Sequence, residues 1–169
     1  PFVGSEIKLN GDLAEWKDIP SQIMRPYIEG GKRDGLKVAD TQYMKVAWNN
    51  AGFYFAFDFQ DVDGDIRRVK SANFWEGDGT EIFIDALNVK DKLRGAQAIQ
   101  QFWFWVDGEG SNPANIGGEA IVDKATKRHA YVPYTAAKMQ RASKIINANH
   151  WAMECFIPFE LIKNLDLQP

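Results

Sequence analysis

One cysteine and two histidines are the whole supply of thiol and imidazole in this 169-residue chain. Cys155 has no partner for an internal disulfide, and no cysteine-cluster metal site can be built around it. His129 and His150 are too few for a histidine-based zinc site without help from carboxylates. No run of about 18 apolar residues occurs, so no stretch reads as a membrane-spanning helix. Positive charge is not in excess either: 20 Lys and Arg stand against 23 Asp and Glu, a formal charge of −3. No basic field exists to hold a phosphate backbone, and nucleic acid is not an expected partner. A Gly-x-Ser-x-Gly elbow, a phosphate-binding glycine loop and a His-Glu-x-x-His helix are all missing. The chain is not expected to be an enzyme.

Aromatic residues are what the chain has in quantity: eleven Phe, six Trp and five Tyr. Six tryptophans exceed what a core of this size usually needs, so some are expected to face a ligand. An apolar content of 45% with 25% charged residues, and a mean hydropathy of −0.37, describe a soluble globular chain with a real core. The length suits one domain, residues 1–169. The chain opens Pro1-Phe2-Val3 without a charged leader, which reads as a processed product or an excised segment.

Strand signals dominate. In Phe53–Phe59 the four phenylalanines 53, 55, 57 and 59 share one side at a period of two, and that side is expected to be core. Met44–Trp48 precedes it across Asn49-Asn50-Ala51-Gly52, residues that tolerate tight turns, so the two predict an antiparallel hairpin. Further strands are expected at Thr80–Asp85, Gln100–Val106, Glu119–Val122, Ala130–Tyr134 and Trp151–Ile157. Helical material is confined to short pieces near Leu13–Trp16, Ile66–Ala72 and Phe159–Lys163. The expected fold is an all-β antiparallel sandwich, immunoglobulin-like or jelly-roll-like, with one or two short helices. Two long connections, Pro20–Gln42 and Asp107–Gly118, complete it.

Cys155 shares a strand side with Trp151, Met153 and Ile157, which marks an inert core residue and not a nucleophile. Asp78, Glu81 and Asp85 are close enough to pair, yet carboxylates at such spacings on one strand are more often solvated or hydrogen-bonded than an acid and base. Asp61, Asp63 and Asp65 offer oxygen ligands to calcium as a structural ion, although the glycine comes too early for a helix-loop-helix site and Ala72 stands where its closing glutamate belongs. A plain acidic turn is the competing reading. No other cofactor is implied.

The sharper signal runs from Asn73 to Asp85. A loop carrying Trp75, Gly77, Asp78 and Gly79 feeds a strand with Ile82 and Ile84 on one side and Glu81, Phe83 and Asp85 on the other. An aromatic plate beside carboxylate acceptors suits a sugar, whose C–H face packs on an indole while its hydroxyls donate to the carboxylates. Gln100–Val106 repeats the theme, with Gln101, Trp103 and Trp105 on one side and Phe102, Phe104 and Val106 on the other. The competing reading is a strand buried on both faces between two layers.

Four stretches, in order, resemble family 9 carbohydrate-binding modules within the wider DOMON-like group of β-sandwiches: Ile7–Trp16, Met44–Asp61, Trp75–Asp85 and Trp151–Phe159. The Trp75–Asp85 block is the most specific. The resemblance implies a noncatalytic domain that binds an oligo- or polysaccharide. It also implies an extracellular, periplasmic or cell-surface setting and covalent linkage to further domains of a larger polypeptide. Trp75 resembles the loop tryptophan that is one of two sandwiching a terminal sugar, and Glu81 resembles the glutamate that accepts its hydroxyls. Trp16, Trp48 and Trp151 resemble structural core positions. The family's second sandwiching tryptophan lies beyond the isoleucine-proline block, so a C-terminal segment is expected to be missing, with Trp103 or Trp105 as substitutes. Gly79 stands where a small hydroxyl residue is usual. Two alternatives remain: a structural or interaction sandwich that has lost its sugar site, and a haem-binding DOMON-like cytochrome domain. Haem would draw axial ligands from Met44, Met139 or Met153 with His129 or His150.

Overall fold

Alternating apolar and polar residues, broken by turn residues, build nine strands among the described residues, which the computed structural model assigns as follows. They are β1 (Ser21–Ile23), β2 (Tyr43–Trp48), β3 (Gly52–Gln60), β4 (Gly79–Asp85), β5 (Ile99–Trp105), β6 (Ile116–Asp123), β7 (Arg128–Val132), β8 (Gln140–Asn147) and β9 (His150–Pro158). Residues 1–24, 42–61, 64, 66, 77–86, 88, 99–106, 116–123, 128–132 and 138–162 are described, those of β6 and β7 by their backbone. The strands form a five-stranded sheet in the order β1-β2-β3-β9-β8 and a four-stranded sheet in the order β4-β5-β6-β7. Every strand pairing in the two sheets is antiparallel.

The β2–β3 hairpin forms where the sequence places it. The Asn49 N–H donates to the Gly52 carbonyl at 3.1 Å, and the Asn49 side-chain oxygen accepts from Ala51 N at 2.8 Å. An asparagine that bonds its own backbone two residues on closes such turns cheaply. Phe55, Phe57 and Phe59 project to one side of β3 and join Ile82 of β4, Phe102 and Phe104 of β5, and Trp151, Met153, Cys155 and Ile157 of β9 in the main core. The sheets therefore stack face to face. The rings of Phe57 and Phe59 lie nearly parallel, with centroids 5.6 Å apart.

The other face of β3 is covered too. Ala47, Tyr54, Ala56 and Phe156 pack with Trp16 and Ile19 in a second cluster, against which Val3, Ile7, Leu9 and Leu13 lie. Alanines at positions 47 and 56 leave room for the indole of Trp16 to lie over the sheet. The 3-10 turn Leu13–Trp16, capped by the Asp12 carboxylate accepting from Ala14 N, delivers that indole. Its N–H reaches Glu154 Oε1 at 2.8 Å, while Glu154 Oε2 accepts from Asn10 N at 2.7 Å and Gly11 N at 2.6 Å. Gly11 has φ +76°, and a Cβ there would fall 3.0 Å from Lys144 Cβ, so glycine satisfies both the turn and the close approach to β8.

Several expectations need correction. Trp48 is 40% exposed at the end of β2 and does not belong to the core, whereas Trp16 and Trp151 are buried. Trp48 is the last residue of β2, paired with Phe53 on one side and with the Pro1–Val3 segment on the other, and its side chain reaches solvent at the strand end. β1 lies inside the expected Pro20–Gln42 connection, and β6 begins at Ile116 inside the expected Asp107–Gly118 connection. β8 was not expected because its inward row is Arg141, Ser143 and Ile145, opposite Cys155, Met153 and Trp151. Such a row shows little apolar alternation. The expected helix at 66–72 lies, except for Ile66, outside the described residues.

Candidate functional site

The side of β5 turned away from the core carries Gln101, Trp103 and Trp105, as the two-residue period requires. All three are buried, Trp103 at 8% exposure and Trp105 at 4%. The indoles form a cluster of their own, edge to face at 6.0 Å, separate from both hydrophobic cores. They are not free-standing plates. Trp105 lies opposite Gly79 and Trp103 opposite Gly117 in the cross-strand register. A Cβ on Gly79 would fall 3.2 Å from Trp105 Cδ1 and 2.5 Å from the Phe104 carbonyl oxygen. The absence of a side chain at position 79 is thus required first by the Phe104 carbonyl of the paired strand and then by the Trp105 ring.

Trp103 and Trp105, together with Gly77, Gly79, Thr80, Glu81 and Phe104, line an open pocket of about 100 Å³. Glu81 is exposed and sits opposite Trp103 in the register. The pocket therefore joins indole surface to a solvated carboxylate, which is the pairing the sequence suggests for a sugar. Asp78 occupies the turn before β4, where its carbonyl accepts from Val106 N at 3.0 Å. Gln101 lies one row further along, opposite Phe83 and not among the pocket residues. Trp75, the expected loop plate, lies outside the described residues.

Two residues were not singled out from the sequence. Arg141 of β8 is buried and donates through a terminal guanidinium nitrogen to the Trp105 carbonyl, tying the five-stranded sheet to the rim of the pocket. Nothing in Gln140-Arg141-Ala142 signals that reach across the sandwich. Phe83 is 49% exposed on the same face as Glu81. Its outward position was legible from the alternation of β4.

The other candidates lie elsewhere. Asp61 follows β3, its N–H donating to the Asn149 carbonyl at 2.7 Å and its own carbonyl accepting from Asn149 Nδ2 at 3.0 Å. Asp63 and Asp65 are outside the described residues. Among the described residues no group of three or more His, Cys, Asp or Glu side chains comes together to hold a metal. Met139 and Met153 are fully enclosed in the main core, and His150 pairs with Asp58 at 2.5 Å from Nε2 to Oδ1. Residues 150 and 153 fall on opposite faces of β9, so they cannot bracket one haem. Among the described residues no helix is long and apolar enough to cross a membrane.

Two stacked antiparallel sheets, with an aromatic-walled pocket and a carboxylate on the outer face of one, define an all-β sandwich domain with a concave surface site. The family described as carbohydrate family 9 binding domain-like matches residues 10–166, and the chain belongs to that family. Among solved structures, it is similar to a family 9 carbohydrate-binding module from Caldicellulosiruptor kristjanssonii in complex with glucose. The TM-score is 0.56 at 12% identity, covering 99% of this chain and 71% of that one. A family 9 module from the same organism in complex with cellotriose gives a TM-score of 0.56 at 12% identity, over 98% of this chain and 69% of that one. At such identity the likeness is one of fold. No curated protein sequence gives a significant match.

Proposed function

We propose that this carbohydrate-binding domain is noncatalytic and holds an oligo- or polysaccharide at the outer face of the four-stranded sheet. The observation that carries the reading is the pocket in which Trp103 and Trp105 adjoin Glu81. A pyranose is amphipathic in the same sense: its axial C–H groups pack on aromatic surface, and its hydroxyls donate to a carboxylate. Glu81 is the acceptor, Trp103 and Trp105 form the apolar wall, Gln101 and Asp78 flank it, and Trp75 is the stacking residue that the family resemblance implies. Family membership supports a module that lies outside the cell and keeps a larger polypeptide near its polysaccharide. Binding is expected to be roughly millimolar to micromolar, about 4 to 8 kcal/mol. The chemistry needs no cofactor. A calcium ion at Asp61, Asp63 and Asp65 would raise the melting temperature of chelator-treated protein on adding calcium, and an unchanged temperature would leave that turn metal-free.

The test is titration of the domain with mono- and disaccharides and soluble glucans and xylans, followed by tryptophan fluorescence. A saturable change that weakens about tenfold in Glu81→Gln and disappears in a folded Trp75→Ala supports the reading. No response from folded protein refutes it in favour of a scaffold domain.

A further inference from the structure

We propose that Arg141 is the positioning residue of the pocket: from the opposite sheet, its guanidinium holds the end of β5 so that the Trp105 indole stands as the wall on which a sugar packs. This rests on the reading that the pocket beside Glu81 takes a sugar. Arg141 sits on the inward row of β8, opposite Cys155 of β9, and is 6% exposed. The core does not call for a charge there. A buried guanidinium loses its hydration and is tolerated only where its donors are used, whereas an apolar side chain of similar volume would fill the space without that cost.

The end of β5 is where the donor is used. Successive residues of a strand point their backbone groups to opposite sides. The Val106 N–H donates to the Asp78 carbonyl at 3.0 Å, on the β4 side. The amide and carbonyl of Trp105 therefore point the other way, toward the side where β6 runs. Among the described residues the β5–β6 register ends at Phe104 opposite Ile116, one residue short of Trp105. A terminal guanidinium nitrogen of Arg141 donates to the Trp105 carbonyl just past that end.

Two holds thus meet at one strand end, Val106 on the β4 side and Trp105 on the five-stranded sheet. Fixing the backbone of residue 105 fixes the direction in which its side chain leaves the strand, and that side chain stands edge to face with Trp103 at 6.0 Å and lines the pocket. The bond has a charged donor, so it is stronger than one between neutral groups, and the planar guanidinium is a stiffer brace than an ammonium. A wall already in place loses little freedom when a sugar arrives. Sugar affinity therefore depends on a residue of the far sheet that no sugar touches.

The experiment is calorimetric titration of wild type, Arg141→Met, Arg141→Lys and Ile145→Ala with glucose, xylose, cellotriose and xylotriose, with near-ultraviolet circular dichroism and urea denaturation of each. Ile145→Ala truncates another inward residue of β8, packed against the main core, and controls for lost stability. Arg141→Met should weaken whichever sugar wild type binds about tenfold, and should lose the same part of the indole dichroism that Trp105→Phe loses. Arg141→Lys keeps the charge and one donor at shorter reach; it should fold even where Arg141→Met does not, and bind about threefold more weakly than wild type. Ile145→Ala should be less stable and yet bind within about twofold. Wild-type affinity and dichroism in folded Arg141→Met, or in Arg141→Lys where the methionine variant does not fold, overturns the role of Arg141 while the Glu81 pocket stands. So does an equal loss of affinity in Ile145→Ala. Failure of wild type to bind any of the four sugars overturns the proposed function and this role together.

Discussion

The indole N–H of Trp16 donates to Glu154 Oε1 at 2.8 Å across 138 residues of sequence, and this bond joins the first and last signature blocks of the chain. The same carboxylate holds the Asn10 and Gly11 amides, so one buried side chain fixes the whole N-terminal cover of the five-stranded sheet. Burial raises the Glu154 carboxyl above its ordinary range, and the three donors pull it part of the way back. Removing the acceptor in Glu154→Ala strands three donors in the interior. The expected cost is about 2–4 kcal/mol, read by urea denaturation.

The same carboxyl makes stability depend on pH in a direction opposite to the usual carboxylate. Its proton is held more tightly in the folded chain than in the unfolded one. Its contribution is full below the unfolded pKa and declines as pH rises through the higher folded value. In Glu154→Gln nothing titrates at this position. The difference in unfolding free energy between wild type and Glu154→Gln should therefore shift in the variant's favour from about pH 4 upward. A difference that moves in wild type's favour with rising pH would contradict this.

Trp16 and Trp48 should respond unequally to truncation. Trp16→Ala empties a buried site and orphans part of Glu154, with an expected loss of about 3–5 kcal/mol or outright unfolding. Trp48 is half in solvent, so Trp48→Ala should cost about 1 kcal/mol and leave a folded domain. Parallel denaturant curves decide the ranking.

Gly79→Val tests the packing of the pocket. The added Cβ meets the Phe104 carbonyl and the Trp105 ring, and that carbonyl belongs to the β4–β5 pairing. The melting temperature should fall, by an amount corresponding to about 1–3 kcal/mol, and sugar titration should weaken as Trp105 is pushed from the wall. Unchanged melting with unchanged binding would show that the close approach has no consequence.

Cys155 provides an internal clock for unfolding. Complete burial pushes its thiol well up, against the opposing charge of Arg141, so no thiolate is presented to solvent. Ellman's reagent should leave the native protein unlabelled and take up one equivalent in denaturant. Rapid labelling of native protein would mean that β9 opens readily.

The alternation in Phe53–Phe59, in Thr80–Asp85 and in Trp151–Ile157 already determined which side chains face the core, because a strand has only two sides and water selects between them. The four stretches Ile7–Trp16, Met44–Asp61, Trp75–Asp85 and Trp151–Phe159 were enough to name the family. Three matters needed the tertiary structure. β8 was hidden because an edge strand that sends Arg141 and Ser143 inward carries no apolar rhythm. Trp48 read like Trp16, since exposure depends on which layer covers a residue, and for Trp16 that layer is fixed by Glu154 from the far end of the chain. The pairing of Trp105 with Gly79 and of Trp103 with Gly117 was set by the strand register. Cross-strand register is a long-range relation that no local pattern encodes, and it alone brings Gly79 beneath Trp105 and Glu81 beside Trp103.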